Sequence, residues 1–105
     1  MAKTRGPVML ALAKILPRYD PPRREDLEGL TEWTESVRNN GLLTPVLVRP
    51  VGEDTYRLLV ADREWHAARL ARLSEVPAII WDITEEEQAD LALAEVLARW
   101  DALQE

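Results

Sequence analysis

The chain of 105 residues has no cysteine. That excludes disulfides, thiolate metal sites and a cysteine nucleophile, and leaves a cytoplasmic location as the default. Its single histidine, His66, is too little for a zinc cluster or for catalysis shared between imidazoles. Long hydrophobic runs are missing as well. None reaches ten residues, so neither a membrane-spanning helix nor a membrane partner is expected. The longest, residues 8–13, follows Lys3 and Arg5 and is cut by Lys14; it is too short for the core of a signal peptide and reads as a strand.

What is present is a globular mixture, 47% hydrophobic and 30% charged. Its length suits one domain, and no repeat or linker divides it, so a single domain over 1–105 is expected. Charge is spread unevenly. Residues 1–24 carry six basic side chains against Asp20, a net of +5, while residues 25–105 carry seven basic and eighteen acidic, a net of −11; the two sum to −6. So acidic a chain is a poor general binder of nucleic acid, because neutralising phosphates needs clustered Lys and Arg. DNA contact is expected only through the basic N-terminal segment or a partner protein.

Residues 8–15 read as a buried strand. Residues 16–22 read as extended, since each residue ahead of a proline is pushed out of the helical region. Leu27, Leu30, Trp33, Thr34 and Val37 recur at helical spacing and predict one helix over 25–39, stopped by Asn39-Asn40-Gly41. Stretches 45–51 and 55–60 flank Gly52-Glu53-Asp54 and predict a hairpin. Asp62 has N-cap chemistry for a second helix over 63–73, and residues 76–81 form another apolar strand. Thr84-Glu85-Glu86-Glu87 is a capping box. It opens a last helix whose Ala89, Leu93, Val96, Trp100 and Leu103 are spaced four and three apart, a stripe for the core or a dimer face. Trp33, Trp65, Trp81 and Trp100 all fall on apolar faces and are expected in the core. The order β, α, β-hairpin, α, β, α predicts an α+β domain, a single small mixed sheet with helices packed on it.

Five segments together resemble one family. Leu16-Pro17-Arg18-Tyr19-Asp20-Pro21-Pro22-Arg23-Arg24 looks like the proline-arginine entry of the ParB/sulfiredoxin superfamily. Gly41-Leu42-Leu43-Thr44-Pro45-Val46-Leu47-Val48-Arg49 is similar to its "G-L-x-x-P-(I/V)-x-V-R" segment. Residues 56–68 sit where the family has "Y-x-L-(I/V)-x-G-E-R-R-W-R-A-A", Val76–Ile80 resemble its next strand, and Leu93–Arg99 fall where it has "L-x-E-N-(I/L)-Q-R". Order and spacing match over residues 10–101. The absent cysteine excludes the sulfiredoxin branch. The resemblance implies, for the ParB branch, CTP binding that closes two subunits into a clamp on DNA, with a separate helix-turn-helix domain reading the site. A single ParB-like N-terminal domain without that helix-turn-helix domain is expected here.

The resemblance places candidate nucleotide-phosphate contacts at Thr44, Arg49, Ala61, Asp62, Arg63, Glu64, His66 and Arg99, and a catalytic glutamate at Glu95; Arg23 and Arg24 are candidates for phosphate or DNA. A strand feeding a helix start presents free N–H groups and a partial positive charge, which suits phosphate. Here the motif has changed. Side-chain charge over the family's "G-E-R-R-W-R" is +2, and over Ala61–His66 it is −1 with His66 neutral. At an effective dielectric of about 20, one unit charge at 4 Å is worth about 4 kcal/mol before screening. Val96 stands where the family has a metal-binding asparagine and cannot ligate magnesium. CTP binding, with magnesium, is therefore expected to be weakened or lost. Each candidate also has an ordinary reading: Asp62 an N-cap, Arg63 a surface salt bridge, His66 exposed and inert, Arg23 and Arg24 a solvated pair, and Glu95 with Arg99 an i, i+4 pair.

The leading expectation is a binding and assembly module, self-associating as a homodimer, in DNA partition or regulation. The alternative is an enzyme on the same fold, a nucleotide-dependent serine kinase or a nuclease, with Glu95, Asp62 or Glu64 as base or metal holder and Arg63 stabilising a phosphoryl group. A third is a dimer without ligand, joined through Val96, Trp100 and Leu103.

Overall fold

The computed structural model describes residues 3–89. In chain order they form β1 (Lys3–Ala11), a 3-10 turn (Leu12–Lys14), β2 (Ile15–Leu16), α1 (Arg24–Leu27), α2 (Leu30–Asn40), β3 (Val46–Gly52), β4 (Thr55–Val60), α3 (Asp62–Leu70), β5 (Glu75–Asp82) and α4 (Glu85–Ala89). The five strands make one mixed sheet in the order β1-β5-β3-β4-β2. β1 with β5 and β3 with β4 are antiparallel; β3 with β5 and β2 with β4 are parallel. The α+β class, the hairpin and the 76–81 strand are as the sequence implies.

Strands β3, β4 and β5 are apolar on consecutive residues because the middle of the sheet is buried on both faces. On one face Val46, Val48, Leu58 and Ile80 pack with Val37 of α2 and with Trp65 and Ala67 of α3. Leu47, Leu59, Ile79, Trp81 and Ile83 form a second cluster. Burying each such side chain contributes about 1.5–3 kcal/mol. Ala67 and Ala68, both fully buried, let α3 lie close to the strands. That closeness fixes where the start of α3 emerges.

Several expectations are corrected. The buried strand over 8–15 is instead an exposed edge strand, β1, followed by the 3-10 turn and by β2 at the opposite edge of the sheet. Its apolar run is interrupted after Ala11 because Leu12 turns inward to the core. Residues 18–21 bend rather than run extended. The single helix over 25–39 is two, broken at Gly29, whose left-handed backbone (φ 66°) starts α2 afresh. The second helix ends at Leu70, not 73, since Arg72 takes φ 62°. The capping box is present: Thr84 N donates to Glu87 Oε1 and Glu87 N to Thr84 Oγ1, each at 3.0 Å. Of the stripe that follows, Leu93, Val96, Trp100 and Leu103 lie outside the described residues.

Candidate functional site

β4 enters α3 through Ala61, which adopts φ 78° and ψ 42° and occupies the N-cap position. This corrects the N-cap reading of Asp62, which is the first helical residue and makes no capping hydrogen bond. The first helical bond of α3 runs from Trp65 N to Ala61 O at 3.0 Å. The amides of Asp62, Arg63 and Glu64 precede it and point out of the helix end, where the helix dipole is positive.

Around this turn lies a hollow of about 270 Å³, lined by Arg18, Arg23, Asp26, Asp62, Arg63 and Glu64. Three cations and three carboxylates meet there, and their roles differ. Asp26, at the start of α1, accepts from Arg23 N at 3.0 Å, Arg23 Nη2 at 3.0 Å and Arg23 Nε at 3.3 Å. Burial works to raise its pKa, but the Arg23 hydrogen bonds and charge outweigh that and hold it below the usual carboxylate value. Asp62 has no such support. It is 7% exposed, its Oδ2 has no hydrogen-bond partner among the described residues, and Arg23 Nη2 is 4.0 Å away. Burial first, then the charge of Asp26, push its pKa up to about 6; Arg18 and Arg23 offset part of this and Glu64 adds to it.

Tyr19 organises the cations. Its ring lies under the guanidiniums of both Arg18 (5.0 Å) and Arg23 (4.1 Å). Among the described residues Arg63 is in no salt bridge; its Nη2 donates to Glu25 O at 3.4 Å, and its guanidinium sits 5.8 Å from the Trp33 ring. Trp33 is thus not core but 37% exposed, serving as a shelf for Arg63, whereas Trp65 and Trp81 are buried as expected.

The remaining candidates scatter. His66 is buried, at 8% exposure, and burial lowers its pKa; it meets Trp65 edge-on at 4.9 Å. The exposed reading of His66 is therefore wrong, because this fifth residue of α3 lies beside Leu27 of α1 and Leu30 of α2 rather than in open solvent. His66 lines a separate cleft of about 390 Å³ beside Leu27 and Arg69. Thr44 is exposed in the bend before β3, and Arg24 is exposed at the start of α1. Arg49 lines a third hollow, of about 460 Å³, with Arg18 and Arg57. Glu95 and Arg99 lie outside the described residues. Among those described, no three His, Asp or Glu side chains are placed to hold a metal. Sequence reasoning passed over Arg18, Tyr19, Asp26 and Arg57. Arg18 and Tyr19 stand in the proline-arginine run that carries the resemblance, but that run reads as extended, and only its bend at residues 18–21 brings them to the turn.

The family model for the ParB N-terminal domain matches residues 3–97. The chain is 46% identical over 97 residues to the chromosome-partitioning protein Spo0J of Thermus thermophilus, covering 91% of this chain and 36% of that protein. It is similar to the solved structure of the C-terminally truncated chromosome-partitioning protein ParB of Caulobacter crescentus complexed with CTP-gamma-S: TM-score 0.66, 30% identity, 90% of this chain and 49% of that one. Sulfiredoxin of Arabidopsis thaliana has the same TM-score, 0.66, at 26% identity, with 85% and 93% covered. The chain spans about a third of the length of the curated relatives it matches. On the family match and on the sheet order and helix placement just described, the chain belongs to the ParB N-terminal domain family.

Proposed function

We propose that this chain is a nucleotide-responsive assembly module of a DNA-partitioning system, and that it holds the phosphates of CTP at the turn between β4 and α3 with reduced affinity. The observation that carries the proposal is the convergence of Arg18, Arg23 and Arg63 on the amide-rich start of α3. Two of these cations come from outside α3, so the local charge is less hostile to phosphate than the −1 of Ala61–His66 implies. The donor set fits a phosphate chain in kind. It fits poorly in balance, because Asp62 and Glu64 share the hollow and Ala61 carries a Cβ beside the amides. The amides and three guanidiniums would hold the nucleotide; magnesium would come with it rather than from a preformed cage. Assembly with a second copy and with DNA belongs to the same proposal, supported by the partitioning relatives.

Isothermal titration with CTP, and with ATP and ADP as controls, tests it. CTP binding is expected, weak at pH 8 and tighter near pH 5.5, where Asp62 is largely protonated. Asp62→Asn is expected to remove most of that difference. No heat with CTP at either pH would overturn the proposal.

A further inference from the structure

We infer that the face carrying Arg18, Arg49 and Arg57 is a second anion site, distinct from the Ala61 turn, that takes a phosphate group of a small molecule. Arg49 and Arg57 are direct partners in the antiparallel ladder of β3 and β4. Like charges opposed across two strands destabilise the pair, so the arrangement calls for a counter-charge. Arg18 completes a hollow of about 460 Å³ with them, and Glu85 is its one acidic lining residue.

All three arginines are half-buried. The strand pair is oriented by neutral acceptors and not neutralised. Arg57 Nη1 donates to Pro17 O at 3.1 Å, while Arg49 donates through Nε to Gln88 Oε1 and through Nη1 to Pro50 O at 3.4 Å. Arg18 is held by the Tyr19 ring. Among the described residues, none of the three is in an ion pair, although Arg5, Arg23 and Arg38 each are. Guanidiniums fixed in place with donors to spare match the multiple acceptor oxygens of a phosphate. Arg18 also lines the hollow at Ala61, so the two sites share one cation. The inference stands whether or not a nucleotide occupies that turn.

Amide NMR of the whole chain, titrated with pyrophosphate, tests it. In the wild type and in Arg63→Gln, which weakens the Ala61 turn, the signals of Arg57, Leu58 and Gln88 are expected to move with similar affinity. Arg57→Gln is expected to weaken that binding about tenfold. Arg57→Glu is expected to abolish it and, without anion, to raise the thermal midpoint by pairing with Arg49. Movement confined to residues 61–64, or unchanged affinity in Arg57→Gln, would overturn the site. A lower midpoint for Arg57→Glu would remove the like-charge opposition on which it rests.

Discussion

At the scale of single residues, Asp62 is a buried carboxylate whose Oδ2 meets no hydrogen-bond donor among the described residues. Its carboxyl is neutral more readily in the folded chain, at about 6, than in the unfolded one, at 3.8. Below pH 3.8 both states hold the proton and Asp62 costs nothing. As pH rises from about 4 to about 6 the unfolded state releases its proton first, so stability falls, and above 6 the full penalty applies. Two units correspond to at most about 3 kcal/mol. Asp62→Asn is expected to stabilise the chain by about 1–3 kcal/mol at pH 7 and to flatten its stability between pH 4 and 6, as read from urea unfolding at several pH values. Asp26 works the other way: its lowered pKa adds stability above the ordinary carboxylate value that is lost as pH falls below it. Tyr19 is a second residue whose role is electrostatic. One ring holding two guanidiniums should be replaceable by another ring but not by an aliphatic chain. Tyr19→Phe is expected to keep CTP affinity within about twofold, while Tyr19→Leu loses roughly five- to tenfold. Equal affinities for the two variants in titration calorimetry would show that the ring only fills space.

At the scale of elements, two junctions use the same backbone conformation with opposite residue choices. Gly29 (φ 66°) starts α2 and Ala61 (φ 78°) starts α3. An alanine in the left-handed region costs about 1 kcal/mol relative to glycine. A Cβ placed on Gly29 meets nothing closer than 3.8 Å, so Gly29→Ala is expected to lose about 1 kcal/mol from backbone strain alone. Ala61→Gly is expected to gain about 0.5 kcal/mol, less than the full strain because glycine also loosens the unfolded chain, and to bind CTP more tightly by clearing the approach to the amides. Paired denaturation curves read both signs at once. These junctions also show where sequence reading stops. Strands β3, β4 and β5 were legible because their apolar runs and the turn at Glu53-Asp54 speak through neighbouring residues. The break at Gly29 was hidden because the periodicity of Leu27, Leu30, Trp33 and Val37 continues across it. The edge position of β1 was hidden because an apolar run does not say whether its neighbours lie on one side or two. The site was half legible. Ala61, Asp62 and Arg63 follow from a strand entering a helix, but Arg18 and Arg23 arrive from 38 residues or more upstream of that turn, a distance that no local motif spans.

At the scale of the whole molecule, the cations that the sequence gathers in a basic N-terminal segment are partly tied into the fold. Arg5 is paired with Asp82 on the sheet edge, Lys14 with Asp54, and Arg23 with Asp26. Three of the six basic side chains of residues 1–24 are thus in ion pairs, those of Arg5 and Lys14 on the surface, and the whole chain keeps its net −6. Binding to duplex DNA draws on unpaired, clustered cations, with each neutralised phosphate adding to the salt dependence. Among the described residues, the arginines without an ion pair that line hollows, Arg18, Arg49, Arg57 and Arg63, sit in spaces of a few hundred Å³ that admit a small anion and not a duplex. Lys3, Arg24, Arg69 and Arg72, also outside any ion pair among the described residues, line neither of these two hollows. The chain by itself is therefore expected to bind a short labelled duplex more weakly than about 100 μM at physiological salt, in fluorescence anisotropy, with a shallow salt slope. Micromolar binding with a steep slope would mean that the N-terminal pairs open on DNA. The variants Asp82→Asn and Asp54→Asn, which release Arg5 and Lys14, would then bind more tightly still.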